Sequence, residues 1–415
     1  MTQRPSRTDR QSSSVFDAAA HQPVPLWRDI RVIQAVGQFA FAVVAIAVLV
    51  TVVNNIYQGL VANNQTPTFD FWQRPIGINF SEGPGIASTD TTARAFTVGL
   101  INTIRAVSIG LAAATILGVF VGIALLTPNW LVRNITQTYI EIFRNTPLLV
   151  QLIFFYQGVF RALPQIRDAA QLPGPVYLSN RGLVMPAITP TDSFLPWLLI
   201  VAVGLVVAGF VWRRRTRYQN QTGQPGYQAR FAAGIVLGFA LFGLLIVGGA
   251  PWTVELPQPT LRELPTGEMI IQRIEGGQTL SPEYAAMVVG LVLYTAAFIG
   301  EIVRAGIQAV SYGQIEAARA QGFTYAQTLQ LIVLPQALRV IIPPLGNQYL
   351  NLAKNSSLAI AIAFQDVFAI ARTIMNQSGQ TIVPFITVML TYLVISLLIS
   401  AVMNALNRSL QLKER

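Results

Sequence analysis

About eight stretches of this chain stay apolar for roughly twenty residues each, near 33–54, 98–126, 138–160, 195–212, 231–250, 283–306, 336–363 and 382–406. Twenty apolar residues in a helix rise about 30 Å, the thickness of the hydrocarbon in a bilayer. A water-soluble fold of 415 residues needs far more charged surface than the 11% charged residues found here. A transmembrane β-barrel would alternate apolar and polar positions over segments of about ten residues, whereas these stretches are continuous. The sequence predicts an all-α integral membrane protein, a polytopic bundle of about eight transmembrane helices.

Composition removes several kinds of chemistry. The chain has no Cys and a single His, His21, in a polar N-terminal tail, which excludes disulfides, thiolate nucleophiles, Ser/His/Asp triads and His- or Cys-ligated zinc. Its only lysines, Lys354 and Lys413, do not sit in a Gly-Lys-Ser/Thr sequence, so no phosphate-cradling loop is present. No cofactor and no metal are expected. The net charge of +10 reads as basic loops on one side of a membrane rather than as a nucleic-acid footprint.

Residues 1–32 form a polar tail carrying Arg4, Arg7, Arg10, Arg28 and Arg31, and 33–54 read as an uncleaved membrane anchor, because the tail is long and the apolar stretch ends VVNN. With both termini inside, the inner segments hold fifteen basic residues, including Arg133, Arg213, Arg214, Arg215, Arg217, Arg230 and Arg319, against eight in the outer ones. The positive-inside rule then places both termini in the cytoplasm. Segments 55–97, 161–194 and 251–282 are rich in Pro, Gly and polar residues and read as outer loops, with room for short strands or interfacial helices. The run RRRTRYQNQTGQPGYQAR is an inner loop, read first as a topology determinant and second as an anionic-lipid or partner site. No internal repeat is visible.

Between the sixth and seventh stretches lies GQIEAARAQGFTYAQTLQLIVLP, residues 313–335, too polar at its start to span and cytoplasmic on this topology. Good helix formers over Glu316–Gln321, an interruption at Gly322 and a second run ending at Pro335 predict two short helices with a turn at Gly322. Ala317, Ala318 and Ala320 permit close approach by a partner, and Glu316 can meet a cation on it. A docking knob and a plain helical linker both fit that pattern.

The spacing Glu316-Ala317-Ala318, three residues, Gly322, nine residues, Ile332, one residue, Leu334-Pro335 resembles the EAA loop of ABC importer permeases. AAFIGEIVRAGIQAV (296–310), QALRVIIPPLGNQYLNLAKNSSLA (336–359) and EIFRNTPLLVQLIFFYQ (141–157) resemble the polar amino-acid branch of that family. The likeness covers roughly 97–160 and 283–410, so 98–160 and 283–410 are expected to form a MetI-like permease core. The anchor, the 55–97 loop and an insertion at 161–282 with an extra helical hairpin near 195–250 are additional. That longer layout is similar to the Q-type permease subunit of general L-amino-acid importers. The resemblance implies an inner-membrane protein forming half of a pathway with a second, non-identical permease. Two ATPase subunits would dock on the inside and a periplasmic binding protein would deliver the L-amino acid. It also implies ATPase coupling through Glu316, Ala317, Ala318, Gly322, Leu334 and Pro335, in a subunit without catalysis of its own.

Ionisable and polar residues inside the apolar stretches are costly and face protein or a wet cavity. Glu141/Arg144 and Glu301/Arg304 are each three apart and can self-neutralise on one helix face; alternatively Glu301 meets a substrate ammonium. Arg105 and Arg339 are the other charges in this setting. Asn347, Gln348, Asn351, Lys354, Asn355, Ser356 and Ser357 form a polar run near Pro343 and Pro344, which are expected to break regular helical bonding. The run either lines the pathway, with Lys354 attracting a carboxylate, or glues helices together. Asn145, Thr146 and Pro147 interrupt the third stretch in a segment resembling the family's Arg-x-Thr-Pro, with Asn145 where a Gly is common. Phe154, Phe155 and Tyr156 read as packing. The competing function is an ion-coupled secondary amino-acid transporter acting through Glu301 or Glu141, which predicts paired halves that the sequence does not display.

Overall fold

The computed structural model describes residues 27–410 apart from 28, 63–67, 81 and 264–268; most of the N-terminal tail, with His21, and Lys413 at the other end lie outside the described residues. The chain divides into two units, Met1–Phe69 and Asp70–Arg415. Among the described residues the first contains one helix, α1 (Ile30–Ala62). At 33 residues it extends about 50 Å, beyond the hydrocarbon thickness.

The second unit is built on α2 (Thr92–Leu125), α7 (Pro282–Gln308), α10 (Leu334–Asn355) and α12 (Ile382–Leu410). Thr91 caps α2 by accepting from the Arg94 N–H, and Ser281 caps α7 by accepting from the Tyr284 N–H with Pro282 in the first turn. In lipid no hydrophobic effect drives helices together, so close packing of small residues must do so. Gly118 and Gly122 put α2 against α7 so tightly that a Cβ on Gly122 would lie 2.6 Å from Val303 Cβ. Val107, Ala114, Ile299, Val303, Ile341, Leu352 and Met403 join these four helices in one buried cluster. Elsewhere α12, like α1, shows lipid-sized side chains to the outside, among them Leu393, Leu397 and Val402.

Seven helices among the described residues are long and apolar enough to cross a bilayer, rather than about eight. The difference is the third predicted stretch, 138–160, which is not one helix. It comprises α3 (Trp130–Asn145), a break at Thr146-Pro147, α4 (Leu148–Ile153) and a π-helical continuation, Phe154–Phe160. Proline pushes the residue before it out of the helical region, and Thr146 is accordingly extended, with ψ 129°. The broken segment still runs antiparallel to α7: Arg144 lies by Glu301, Leu152 against Gly290, and the Tyr156 hydroxyl donates to Glu283 Oε1 at 2.8 Å.

Pro335, Pro343 and Pro344 behave otherwise than expected. Pro335 comes just after the π turn Leu329–Val333, and the second run of the 313–335 segment does not end there. Helix continues from α9 (Tyr325–Thr328) through a π turn, Leu329–Val333, into α10. Pro343 and Pro344 lie inside α10 without interrupting it, because buried Ile341, Ile342 and Leu345 pin that turn to its neighbours.

The 161–282 insertion holds α5 (Phe194–Thr222) and α6 (Gln228–Val247) between short strands: β1 (Ala170–Leu172), β2 (Val176–Ser179), β3 (Gly182–Met185), β4 (Ala187–Pro190), β5 (Trp252–Glu255), β6 (Gln258–Glu263), β7 (Met269–Glu275) and β8 (Gln278–Leu280). All pair antiparallel, in the order β1-β2-β3-β8 and as the pairs β4-β5 and β6-β7. These sheets gather the start of α5, the end of α6 and the start of α7 at one face, leaving the α5–α6 turn and the end of α7 at the other.

Candidate functional site

The 313–335 element forms α8 (Tyr312–Ala320), then turns at Gly322 and re-enters helix at α9. Gly322 takes φ +83°, its N–H donates to Arg319 O at 2.9 Å and the Phe323 N–H donates to Ala318 O at 3.1 Å. This pair of bonds is a Schellman cap, which needs a left-handed residue and favours Gly. Thr324 then opens α9 with a capping box closed by Gln327. The lever is fastened to the bundle: Ile315 packs on the cluster that also holds Val303, Val310, Val333 and Ala337, and Gln336 bonds both Gln314 and the Ile332 carbonyl.

Within α8 the side chains divide by face. Glu316, Ala317 and Ala320 are exposed, and Glu316 makes no hydrogen bond or ion pair among the described residues, whereas Ala318 is buried against the bundle. Leu334 is 41% exposed and Pro335 half-buried. The element thus presents a small, outward surface with one free carboxylate.

A cavity of about 610 Å³ opens beside the end of α7, lined by Arg133, Gln137, Glu141, Arg144, Asn145, Glu301 and Arg304 among others. Arg304 donates from Nη2 and Nε to Glu301 Oε2 at 2.7 and 2.9 Å, the expected three-apart pair. The other expected pair is absent. Glu141 accepts from Gln137 Nε2 at 3.2 Å, while Arg144 turns to Glu301 Oε1 at 4.0 Å and stacks 5.1 Å over the Phe298 ring. The Thr146-Pro147 break ends α3 and α7 lies alongside, so a cross-helix partner displaces the one on its own helix.

The polar run of α10 is not part of that cavity. Asn347, Asn351 and Lys354, spaced four and three apart, form one exposed stripe, and Asn347 also lines a separate cavity of about 230 Å³ between α10 and α12. Gln348 and Asn355 are half-buried. Ser356 is fully buried and donates to Ala353 O at 2.9 Å, and Ser357 donates to Lys354 O at 2.8 Å, so both hydroxyls serve the helix end. Of the predicted pathway residues the structure brings Glu301 and Asn145 together, with half-buried Thr146 next to Asn145, and sets the α10 stripe apart. Phe155 and Tyr156 pack on the core, while Phe154 is 61% exposed.

Three features escape the sequence reading. Gln151, buried in α4, donates from Nε2 to Phe143 O at 2.8 Å and Thr146 O at 2.9 Å, satisfying carbonyls freed by Pro147; a lone Gln four residues after a proline in an apolar run is its signal. Asp366, fully buried at the start of α11 (Val367–Ser378), accepts from the Ala369 N–H at 2.7 Å and the Tyr392 hydroxyl at 3.2 Å, and burial pushes its carboxyl up to about 6. Glu82 and Glu283 line a cavity of about 230 Å³ at the opposite end of α7 from Glu301, and burial raises the Glu82 carboxyl.

Residues 279–412 match the family model described as "Binding-protein-dependent transport system inner membrane component", a span that contains α7 to α12. The chain is 40% identical over 393 residues to the putative amino-acid ABC transporter permease protein YhdX of Escherichia coli, covering 92% of this chain and 95% of that one. It is 38% identical to the general L-amino acid transport system permease protein AapQ of Rhizobium johnstonii, over 88% of each. With the glutamate/glutamine/aspartate/asparagine transport system permease protein BztB of Rhodobacter capsulatus it shares 35%, over 91% of this chain and 93% of that one. At these coverages the alignments extend across 161–282 as well as the permease core. The chain belongs to the amino-acid ABC transporter permeases, as a multi-pass inner-membrane subunit of an ATP-driven importer.

Proposed function

We propose that this permease is coupled to its motor through Glu316, Ala317, Gly322, Leu334 and Pro335, with Ala318, buried against the bundle rather than presented to a partner, fastening the lever. The carrying observation is the α8 lever: an exposed carboxylate on a short helix whose end is locked by the turn at Gly322 and which is fastened into the cluster that unites α7 and α10. An ATPase subunit holding that lever, with a basic residue against Glu316, moves α7 and α10 together as the ATPases close. Packed interfaces switch between discrete arrangements, which is how a small stroke becomes a change from an outward to an inward opening. Hydrolysis belongs to the ATPase dimer, and this subunit performs no catalysis.

The pathway completes with a second, non-identical permease facing the Asn347, Asn351 and Lys354 stripe, and a periplasmic binding protein supplies a general range of L-amino acids. Glu301 and the Arg144/Arg304 guanidinium groups, with Asn145 and Thr146 beside them, offer a zwitterion both signs of charge in one cavity. Gln348, Asn355, Ser356 and Ser357 act by holding the stripe in place. The lever is cytoplasmic in this reading, as are both termini. Reconstitution with the candidate partners in vesicles tests it: uptake is expected to require ATP, and uptake on a proton or sodium gradient without any ATPase would overturn it in favour of ion coupling.

A further inference from the structure

The α5–α6 hairpin takes no part in the lever or the cavities, yet its construction is specific. The two helices pack on each other: Gly204 lets Phe239 approach so that a Cβ there would fall 2.6 Å from Phe239 Cβ, and the Trp197 indole donates to Ala240 O at 3.0 Å. Their other faces are exposed and apolar, with Leu199, Val203, Val206, Leu237, Leu241 and Leu245 all more than half exposed, so hydrocarbon is their solvent. At the turn the character reverses. Arg213, Arg214, Arg215, Arg217 and Arg230 fall within eighteen residues, and no Asp or Glu occurs anywhere from 193 to 254.

A topology signal needs only positive charge; this turn also fixes where the charge sits. The Arg215 guanidinium lies 3.8 Å over the Phe231 ring and Arg230 lies 5.2 Å over Tyr227, cation–π contacts that orient both groups. Gly226 is buried so closely that a Cβ would come within 2.8 Å of Arg215 O, and Tyr227 takes a left-handed φ of 47°, strain that persists only where the surroundings enforce it. Arg213, Arg214 and Arg217 are exposed and form no ion pair among the described residues. Like charges one turn apart repel unless an anion neutralises them.

We infer that this arginine collar binds the phosphodiester groups of anionic phospholipids. The apolar shaft places the collar at headgroup depth, exposed Trp212 and Tyr218 flank it, and the guanidinium fork matches phosphate oxygens two at a time. The collar lies at the same face as the α8 lever, because α5 and α7 both start at the sheet face and run to the other. Assigning it to the inner leaflet rests on the proposed function; the lipid contact itself does not.

The test uses the full chain purified with its partners, titrated with phosphatidylglycerol or phosphatidylcholine and read as retained lipid by native mass spectrometry. Phosphatidylglycerol is expected to be retained at least about tenfold more strongly, and less so as salt rises. R213Q, R214Q and R217Q should each lower that retention about fivefold, while the four remaining arginines keep the hairpin inserted. Equal retention of the two lipids would overturn the inference, as would three single variants that all bind like the parent. Variants that lose the ATPase subunits while keeping their lipid would assign the collar to an acidic protein surface and refute the lipid site. A membrane-impermeant maleimide on Gln221→Cys and Gln321→Cys, introduced into this naturally Cys-free chain, reports sidedness separately: both positions reacting from outside would sink the proposed function and leave the lipid contact standing.

Discussion

Replacing Gly322 by Ala isolates the lever's turn. No atom lies within 4 Å of a Cβ built on Gly322, so Ala meets no steric obstacle and the whole penalty comes from holding φ at +83°. For an L-residue that backbone costs about 1–2 kcal/mol, which lowers the population of the capped turn by a factor of about 5–30. The two amides that close the cap, Gly322 N–H to Arg319 O and Phe323 N–H to Ala318 O, would open more often in proportion. Hydrogen exchange on the purified complex, with the amides of α2 and α7 as internal reference, should show those two positions exchanging about 5–30 times faster in Gly322→Ala, and coupled uptake falling. Gly322→Asn should recover much of the protection, because Asn tolerates the left-handed region. Protection within twofold of the parent in the Ala variant, or Ala and Asn behaving alike, would refute the assignment of the turn's stability to backbone conformation.

Glu316→Lys is expected to abolish ATP-driven uptake while sidedness labelling shows normal insertion, since it reverses the one exposed carboxylate of α8. Lys354→Ala should weaken uptake of amino acids in the complex; unchanged transport kinetics would remove the carboxylate contact assigned to it. Gln151→Leu strands the Phe143 and Thr146 carbonyls and should cost roughly 1–3 kcal/mol, read as a lower midpoint of thermal unfolding in detergent. Asp366 predicts a pH effect: its folded carboxyl, raised to about 6, binds a proton that the unfolded chain has already released. Stability therefore falls as pH rises from about 4 to about 6, by roughly 3 kcal/mol. Asp366→Asn, which keeps a capping oxygen, should be flat over that window; equal slopes in parent and variant would refute the buried-carboxyl explanation.

Apolar run length revealed the spanning helices because hydrocarbon imposes that one requirement on every segment. Run length alone does not show the 138–160 break; Asn145, Thr146 and Pro147 mark it, because the residue before a proline leaves the helical region, and the structure ends α3 at that point. Proline reasoning failed at Pro335, where helix continues across a π turn, and in α10, where packing of Ile341, Ile342 and Leu345 outweighs the lost hydrogen bonds. The strands were no more than an allowance for the outer loops, because β3 and β8 are short and their pairing joins Leu183 to Leu280, a relation that no local window contains. Within the site, the turn at Gly322 was legible because its chemistry is local. The Arg144–Glu301 contact was not, because it depends on how two helices meet. GVFVG at 118–122 carried the α2–α7 approach in plain sight as small residues four apart.

The pairing of β3 with β8 has an evolutionary and practical consequence. Met185 stands opposite Gln278, so the two ends of the intervening 92-residue excursion are neighbours, and antiparallel strands can be joined by a tight two-residue reversal. The hairpin and its flanking strands therefore hang from the permease like a pendant on a closed clasp. A lineage can gain or shed that pendant by one recombination event at the clasp, and a minimal transporter for engineering can be made by cutting at the same two residues.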